Sequence, residues 1–155
     1  MARLAPLALL ALAACRDDPQ AALLEGAWFC ASEPPDYALE RQVTFAPDGR
    51  LSGRTEVQTT DAETALDMHF AFSGTWELAD GLLAERIETH RLMRFARAGT
   101  NVPLAELPAG VLGEIEGALA RQSAAYRVET LTAEELVLRD TAEAVQTVCE
   151  RSQGG

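Results

Sequence analysis

The chain contains no lysine; all 13 of its basic residues are arginine. That excludes a Schiff base and a phosphate-binding P-loop, both of which need a lysine amine. Basic residues are also outnumbered: 24 acidic groups leave a net charge of −11. A phosphate-backbone binder needs a positive footprint, so no nucleic-acid partner is expected. Histidine and cysteine are scarce, at two and three residues. A structural zinc site takes four ligands, and no cysteine here has a neighbouring cysteine or histidine, so no metal is expected. There is no glycine-rich phosphate loop, and Asp61, Glu63 and Asp67 lack the spacing of a calcium loop. What is present is a globular balance: 155 residues, 48% hydrophobic and 24% charged, which fits one domain and excludes collagen-like or low-complexity chains.

Residues 1–14 read MARLAPLALLALAA. One charge, Arg3, precedes a short apolar run that small residues close. This is the pattern of a secretory signal, too short to span a bilayer. The next residue is Cys15, and Leu12-Ala13-Ala14-Cys15 resembles the lipobox of bacterial lipoproteins. The resemblance implies that Cys15 becomes the mature N-terminus and carries acyl chains such as palmitate, each buried methylene contributing about 0.8 kcal/mol of membrane affinity. In the sorting rule of such lipoproteins, Asp directly after the cysteine retains the protein in the inner membrane. Here Arg16 follows and Asp17 comes one later, which favours the outer membrane, facing the periplasm. Residues 15–23 read as the lipidated cysteine and a tether, and residues 24–151 as the folded domain. No second apolar stretch could serve as a span.

Export changes how Cys30 and Cys149 read. An even pair in an oxidising compartment defaults to a disulfide. A metal site and a catalytic thiol are the alternatives, and neither has further sequence support.

The body alternates apolar and polar residues at period two, which indicates half-buried strands. Pro47-Asp48-Gly49 supplies one hairpin turn. It pairs Ala46 with Arg50, sets Phe45 opposite Leu51 and Leu39 opposite Val57, and gathers the apolar residues on one face. Asp80-Gly81 supplies a second, two-residue turn that pairs Ala79 with Leu82. One face then carries Leu66, Met68, Phe70, Phe72, Gly74, Trp76 and Leu78. Opposite them come Phe95, Met93, Arg91, Thr89, Ile87, Glu85 and Leu83. The other face is polar, with Asp67 opposite Arg94 as an ion pair and with both His69 and His90 pointing outward. Further strands near 124–130, 135–139 and 144–151 turn at Thr132-Ala133-Glu134 and around Asp140-Thr141, with Tyr126, Val128, Leu136, Leu138 and Val145 facing in. With a strand near 27–31, the sequence predicts an all-β, up-and-down antiparallel barrel of about eight strands, because closure removes exposed edges.

One segment breaks the pattern. Val111, Leu112, Ile115, Ala118 and Leu119 recur at helical spacing between Pro108 and Arg121-Gln122. This predicts an amphipathic helix inserted before the sixth strand, weakened by Gly110, Gly113 and Gly117 and dependent on packing against the barrel. It either flanks or plugs the barrel, or acts as a lid.

Gly26-Ala27-Trp28 opens the first strand and Arg151 lies on the last. With Val43-Thr44-Phe45, Pro47-Asp48-Gly49 and Gly74-Thr75-Trp76-Glu77-Leu78, this resembles the lipocalin-like (calycin) barrels found on bacterial lipoproteins, over roughly residues 24–151. It departs from classical lipocalins in the helix before the sixth strand. The resemblance implies a structural contact of the Arg151 guanidinium over the Trp28 indole. In a closed meander the first and last strands meet antiparallel. Pairing Trp28 with Arg151 then demands the same register as pairing Cys30 with Cys149.

Chemistry is thin. No Ser, His and Asp set converges on the inward face, so no catalytic site is expected. Glu85 and Arg91 are the two charges assigned to that face. They either line a cavity or are exposed by a strand end or bulge. In the first case Phe70, Phe72, Trp76, Ile87 and Tyr126 line a pocket, with Arg91 or Glu85 as its polar handle; Arg91 would suit the head of an anionic amphiphile. The leading expectation is a membrane-anchored, non-catalytic lipocalin-like lipoprotein that binds a small apolar or amphiphilic ligand or acts as a scaffold. The alternative is a protein-binding periplasmic lipoprotein such as a hydrolase inhibitor, working through the Pro34-Pro35 loop. An open interior favours the first.

Overall fold

In a computed structural model, residues 19–59, 65–108, 110–119 and 123–152 are described. The leader at 1–14, Cys15, Arg16, Asp17, Asp61, Glu63 and the Arg121-Gln122 end of the expected helix lie outside the described residues. The alternating segments form strands β1 (Gly26–Ser32), β2 (Tyr37–Phe45), β3 (Arg50–Thr59), β4 (Leu66–Ala79), β5 (Leu82–Arg97), β6 (Thr100–Asn101), β7 (Ser123–Leu131), β8 (Glu135–Asp140) and β9 (Gln146–Arg151). Helices α1 (Pro19–Leu24) and α2 (Val111–Leu119) flank them. All neighbours pair antiparallel; β5 pairs with β7 and β9 returns to β1, so eight strands close a barrel and β6 is an extra short strand on β5. In the barrel's own order α2 precedes the sixth strand, as expected.

The turns set the registers. Asp48 Oδ1 accepts the Arg50 N–H at 3.1 Å, and Phe45 faces Leu51 and Leu39 faces Val57. Asp80 and Gly81 both hold positive φ, 53° and 73°, the primed turn that matches strand twist. Ala79 pairs with Leu82 and Trp76 with Glu85, as the sequence predicts.

Farther along, β5 departs from the expected pairing. The register shifts between Ser73 and Gly74 and again between His69 and Phe70. Each shift is a bulge that adds one residue to β5, Glu88 and then Met93, and each turns the downstream side chains to the opposite face. Between the bulges His90 and Leu92 therefore point in, and Thr89, Arg91 and Met93 are exposed. After the second bulge parity returns and Phe95 pairs with Met68. A close approach accompanies the first bulge: a Cβ on Gly74 would collide with the Arg86 carbonyl oxygen, so only glycine lets β4 and β5 bend together there.

One end of the barrel is filled. Trp28, Phe45, Leu51, Trp76, Leu83 and Leu136 pack there with Ala21 and Leu24 of α1. The expected tether is thus helical from Pro19, and Ala21 and Leu24 are buried at the barrel end. Tertiary bonds hold this short helix. Trp28 Nε1 donates to the Leu24 carbonyl at 2.7 Å. The Arg151 guanidinium lies 3.9 Å over the Trp28 ring and donates to the carbonyls of Leu23, Glu25 and Ala133. It takes up helix-end acceptors that the helix itself leaves open. Gly26 has φ +113°, and an added Cβ would lie 2.7 Å from Arg151 Nη1. Both the backbone and the space explain the glycine of the Gly-x-Trp motif. Trp28 pairs with Arg151 and Cys30 with Cys149, and the two cysteines form a disulfide with Cα atoms 3.9 Å apart.

At the other end β4 and β5 outrun the barrel. Among the described residues β7 pairs β5 over Leu82–Arg86, and the edge of β5 beyond Arg86 has no barrel neighbour there. β6 covers Ala96 and Arg97, and Glu116 Oε1 of α2 accepts the Leu92 N–H at 2.9 Å. The inserted helix therefore shields a strand edge, a standard way of blocking unwanted pairing.

Candidate functional site

The half of the barrel away from α1 holds a cavity of about 220 Å³. Its walls are mainly apolar: Leu39, Val43 and Phe45 from β2, Phe70 and Phe72 from β4, Ile87 from β5. The rim is formed by Ser32, Pro34 and Tyr37 on one side and by Asp140, Glu143 and Val145 on the other. Of the residues expected to line a pocket, Phe70, Phe72, Glu85, Ile87 and Tyr126 do so. Trp76 and Arg91 do not. Trp76 packs edge-on against Phe45 at 5.6 Å in the filled end, its Nε1 donating to the Ala46 carbonyl at 3.0 Å. Arg91 is on the outer face because the Glu88 bulge reverses that stretch of β5.

The polar handle is a different set. Glu85, only 4% exposed, is held on β5 opposite Trp76. Its Oε2 accepts from Arg41 Nη1 at 2.7 Å. Arg41 lies on β2 between Leu39 and Val43, so period two places it inward; its guanidinium also sits 4.5 Å from the Phe72 ring centroid. His90, expected outside, is inside for the same reason that Arg91 is outside. Its ring stacks on Phe70 at 4.6 Å. Arg41 Nη2, Glu85 Oε1 and His90 Nδ1 are buried and have no hydrogen-bond partner among the described residues.

Electrostatics follow from burial. Desolvation and then the negative charge of Glu85 push the Tyr126 hydroxyl up to about 12. The Tyr37 hydroxyl at the rim is also raised, by burial and then by Glu143, Asp140 and Asp36. His90 is lowered from its ordinary value of 6.5 by burial and then by Arg41, with Glu116 opposing. As pH drops below 6.5 the unfolded chain takes up a proton that the folded chain resists. The His90 contribution is thus present above pH 6.5 and lost as pH falls through the folded value. Urea unfolding should show His90→Gln losing less stability than the wild type over that fall. Equal losses would remove His90 from the balance.

Outside the barrel Glu56, Asp67 and His69 bring three potential ligand atoms within 4.8 Å of one another. His69 faces outward as expected. Arg94 Nη1 lies 3.1 Å from His69 Nε2 and 3.3 Å from Asp67 Oδ2. Its positive charge occupies the ground a cation would need, and the group reads as a surface ion-pair network. The expected Asp67–Arg94 pair forms diagonally, because the shifted register sets Arg94 opposite His69 and Asp67 opposite Ala96. Such pairs contribute little to stability.

The chain matches no protein-family model, and no curated protein sequence is similar to it.

Proposed function

We propose that the protein is an exported, lipid-anchored lipocalin-like lipoprotein without catalytic activity, whose barrel holds one small ligand with an apolar body and a polar head. The observation that carries this reading is the cavity of about 220 Å³, apolar-walled, with the buried Arg41–Glu85 pair on its side. Ligand sites combine such walls with a few convergent polar groups, and an eight-stranded barrel has room for one small molecule. An open interior favours a small-molecule ligand over a protein partner docking on the Pro34-Pro35 loop. Binding rather than catalysis is supported by the polar groups themselves. Arg41 and Glu85 engage each other, and a phenol at about 12 is a poor acid near neutral pH. The anchor is assigned to Cys15, on the four lipobox positions, and the outer membrane facing the periplasm is the proposed place.

One experiment tests both halves. The chain is expressed in a bacterial host fed an alkynyl fatty acid, then fractionated, and the mature protein is weighed by native mass spectrometry. The wild type should label, sediment with membranes and carry a small-molecule adduct. Cys15→Ser should neither label nor sediment. A wild type that takes up no fatty acid overturns the anchor. A wild type that carries no adduct and takes up no small apolar probe overturns the binding role.

A further inference from the structure

The proposed binding role leaves open what kind of head group the cavity reads. Charge is the first constraint. Among the described residues Arg41 is the cation on the cavity wall, and its charge is already met by Glu85 at 2.7 Å. The rim adds Asp140 and Glu143, with Asp36 close enough to act on Tyr37. An anionic head would pass an acidic rim and then meet a guanidinium that is no longer free. A cationic head would be drawn to the rim but would displace Arg41 or lie beside it. Both arrangements leave a charge without its counter-charge beside groups as buried as Arg41 and Glu85, which is costly.

Hydrogen bonding is the second constraint. Arg41 and Glu85 meet through one limb of each fork. The other limbs, Nη2 and Oε1, are a donor and an acceptor without partners among the described residues. A buried polar group left in that state costs free energy that a matching ligand returns. Size is the third. A cavity of 150 Å³ takes benzene, so 220 Å³ takes roughly ten non-hydrogen atoms, and a long acyl chain overfills it.

Resting on the binding role proposed above, we infer that the cavity selects an uncharged small molecule whose head carries a hydrogen-bond donor and an acceptor together, as a primary carboxamide does. Glu85 takes the donor and Arg41 supplies the acceptor's partner. Phe70, Phe72 and Ile87 hold the body.

Four probes on one skeleton test this against the full chain carrying Cys15→Ser: 3-phenylpropanamide, 3-phenylpropanoate, 3-phenylpropylammonium and propylbenzene. Calorimetric titration should find the amide bound at least about ten-fold tighter than each of the others. Glu85→Gln keeps the shape and frees the Arg41 charge, so the preference should switch to the carboxylate. Replacing both Arg41 and Glu85 by Leu should erase the preference while retaining propylbenzene. Propylbenzene or either ion binding the wild type as tightly as the amide would overturn the head assignment and leave the cavity as a ligand site. An unchanged preference in Glu85→Gln would overturn it too. Failure of all four probes to bind the wild type would sink the binding role itself.

Discussion

Replacing Cys30 and Cys149 together by serine should cost about 4–5 kcal/mol, an upper figure from the loop-closure entropy of a bridge spanning 119 residues. For a domain of this size that corresponds to a fall in Tm of roughly 10–15 °C. The position of the bridge argues for a large effect. β1 and β9 pair over only four residues, from Trp28 to Ala31, and this short seam is what closes the barrel. Without the bridge the first and last strands depend on that ladder and on the Trp28–Arg151 contact. Both cysteines are buried, at 3% and 0% exposure, which slows attack on the sulfurs while the seam is closed. Calorimetry should therefore show the serine variant melting far below the wild type, with the native wild type resisting mild reductant. A variant that melts within a few degrees of the wild type would show that the seam holds without its bridge.

The same seam shows why part of the fold is legible in the sequence. Turn chemistry is local, so Pro47-Asp48-Gly49 and Asp80-Gly81 fix their hairpins from a few residues each. The closing register is long-range, yet two pairs, Trp28 with Arg151 and Cys30 with Cys149, demand it together. The β5 bulges carry no such local signal. Their one trace is polar: strict alternation puts Thr89 and Arg91 among aromatics, and a strand that would bury them is cheaper with an extra residue inserted. Arg41 is missing from the inward charges read from the sequence, although period two places it between Leu39 and Val43; its role depends on Glu85, 44 residues away. Nor could α1 be read from periodicity. Its six residues are too few to show a repeat, and they are held by Trp28 and Arg151.

The second large effect is expected at the Arg41–Glu85 pair itself, and it separates cost from net worth. The side chains are 14% and 2% exposed, so each depends on the other for compensation. Glu85→Leu leaves the guanidinium in the cavity wall against the Phe72 face without its carboxylate. Arg41→Leu strands a carboxylate that is the more buried of the two. Each single change should cost about 3–5 kcal/mol, because it leaves an uncompensated buried charge. The double change to Leu removes both charges and extends the apolar wall toward Phe72 and Ile87, so it should be less destabilised than either single variant. Denaturant unfolding of the four proteins gives the coupling directly, and it should exceed about 2 kcal/mol. Additive losses would mean that the two groups reach solvent independently and that the cavity wall is not closed around them. A double variant near wild-type stability would mean that the pair contributes little to folding. The chain would then hold two charges in its interior for what they offer a ligand.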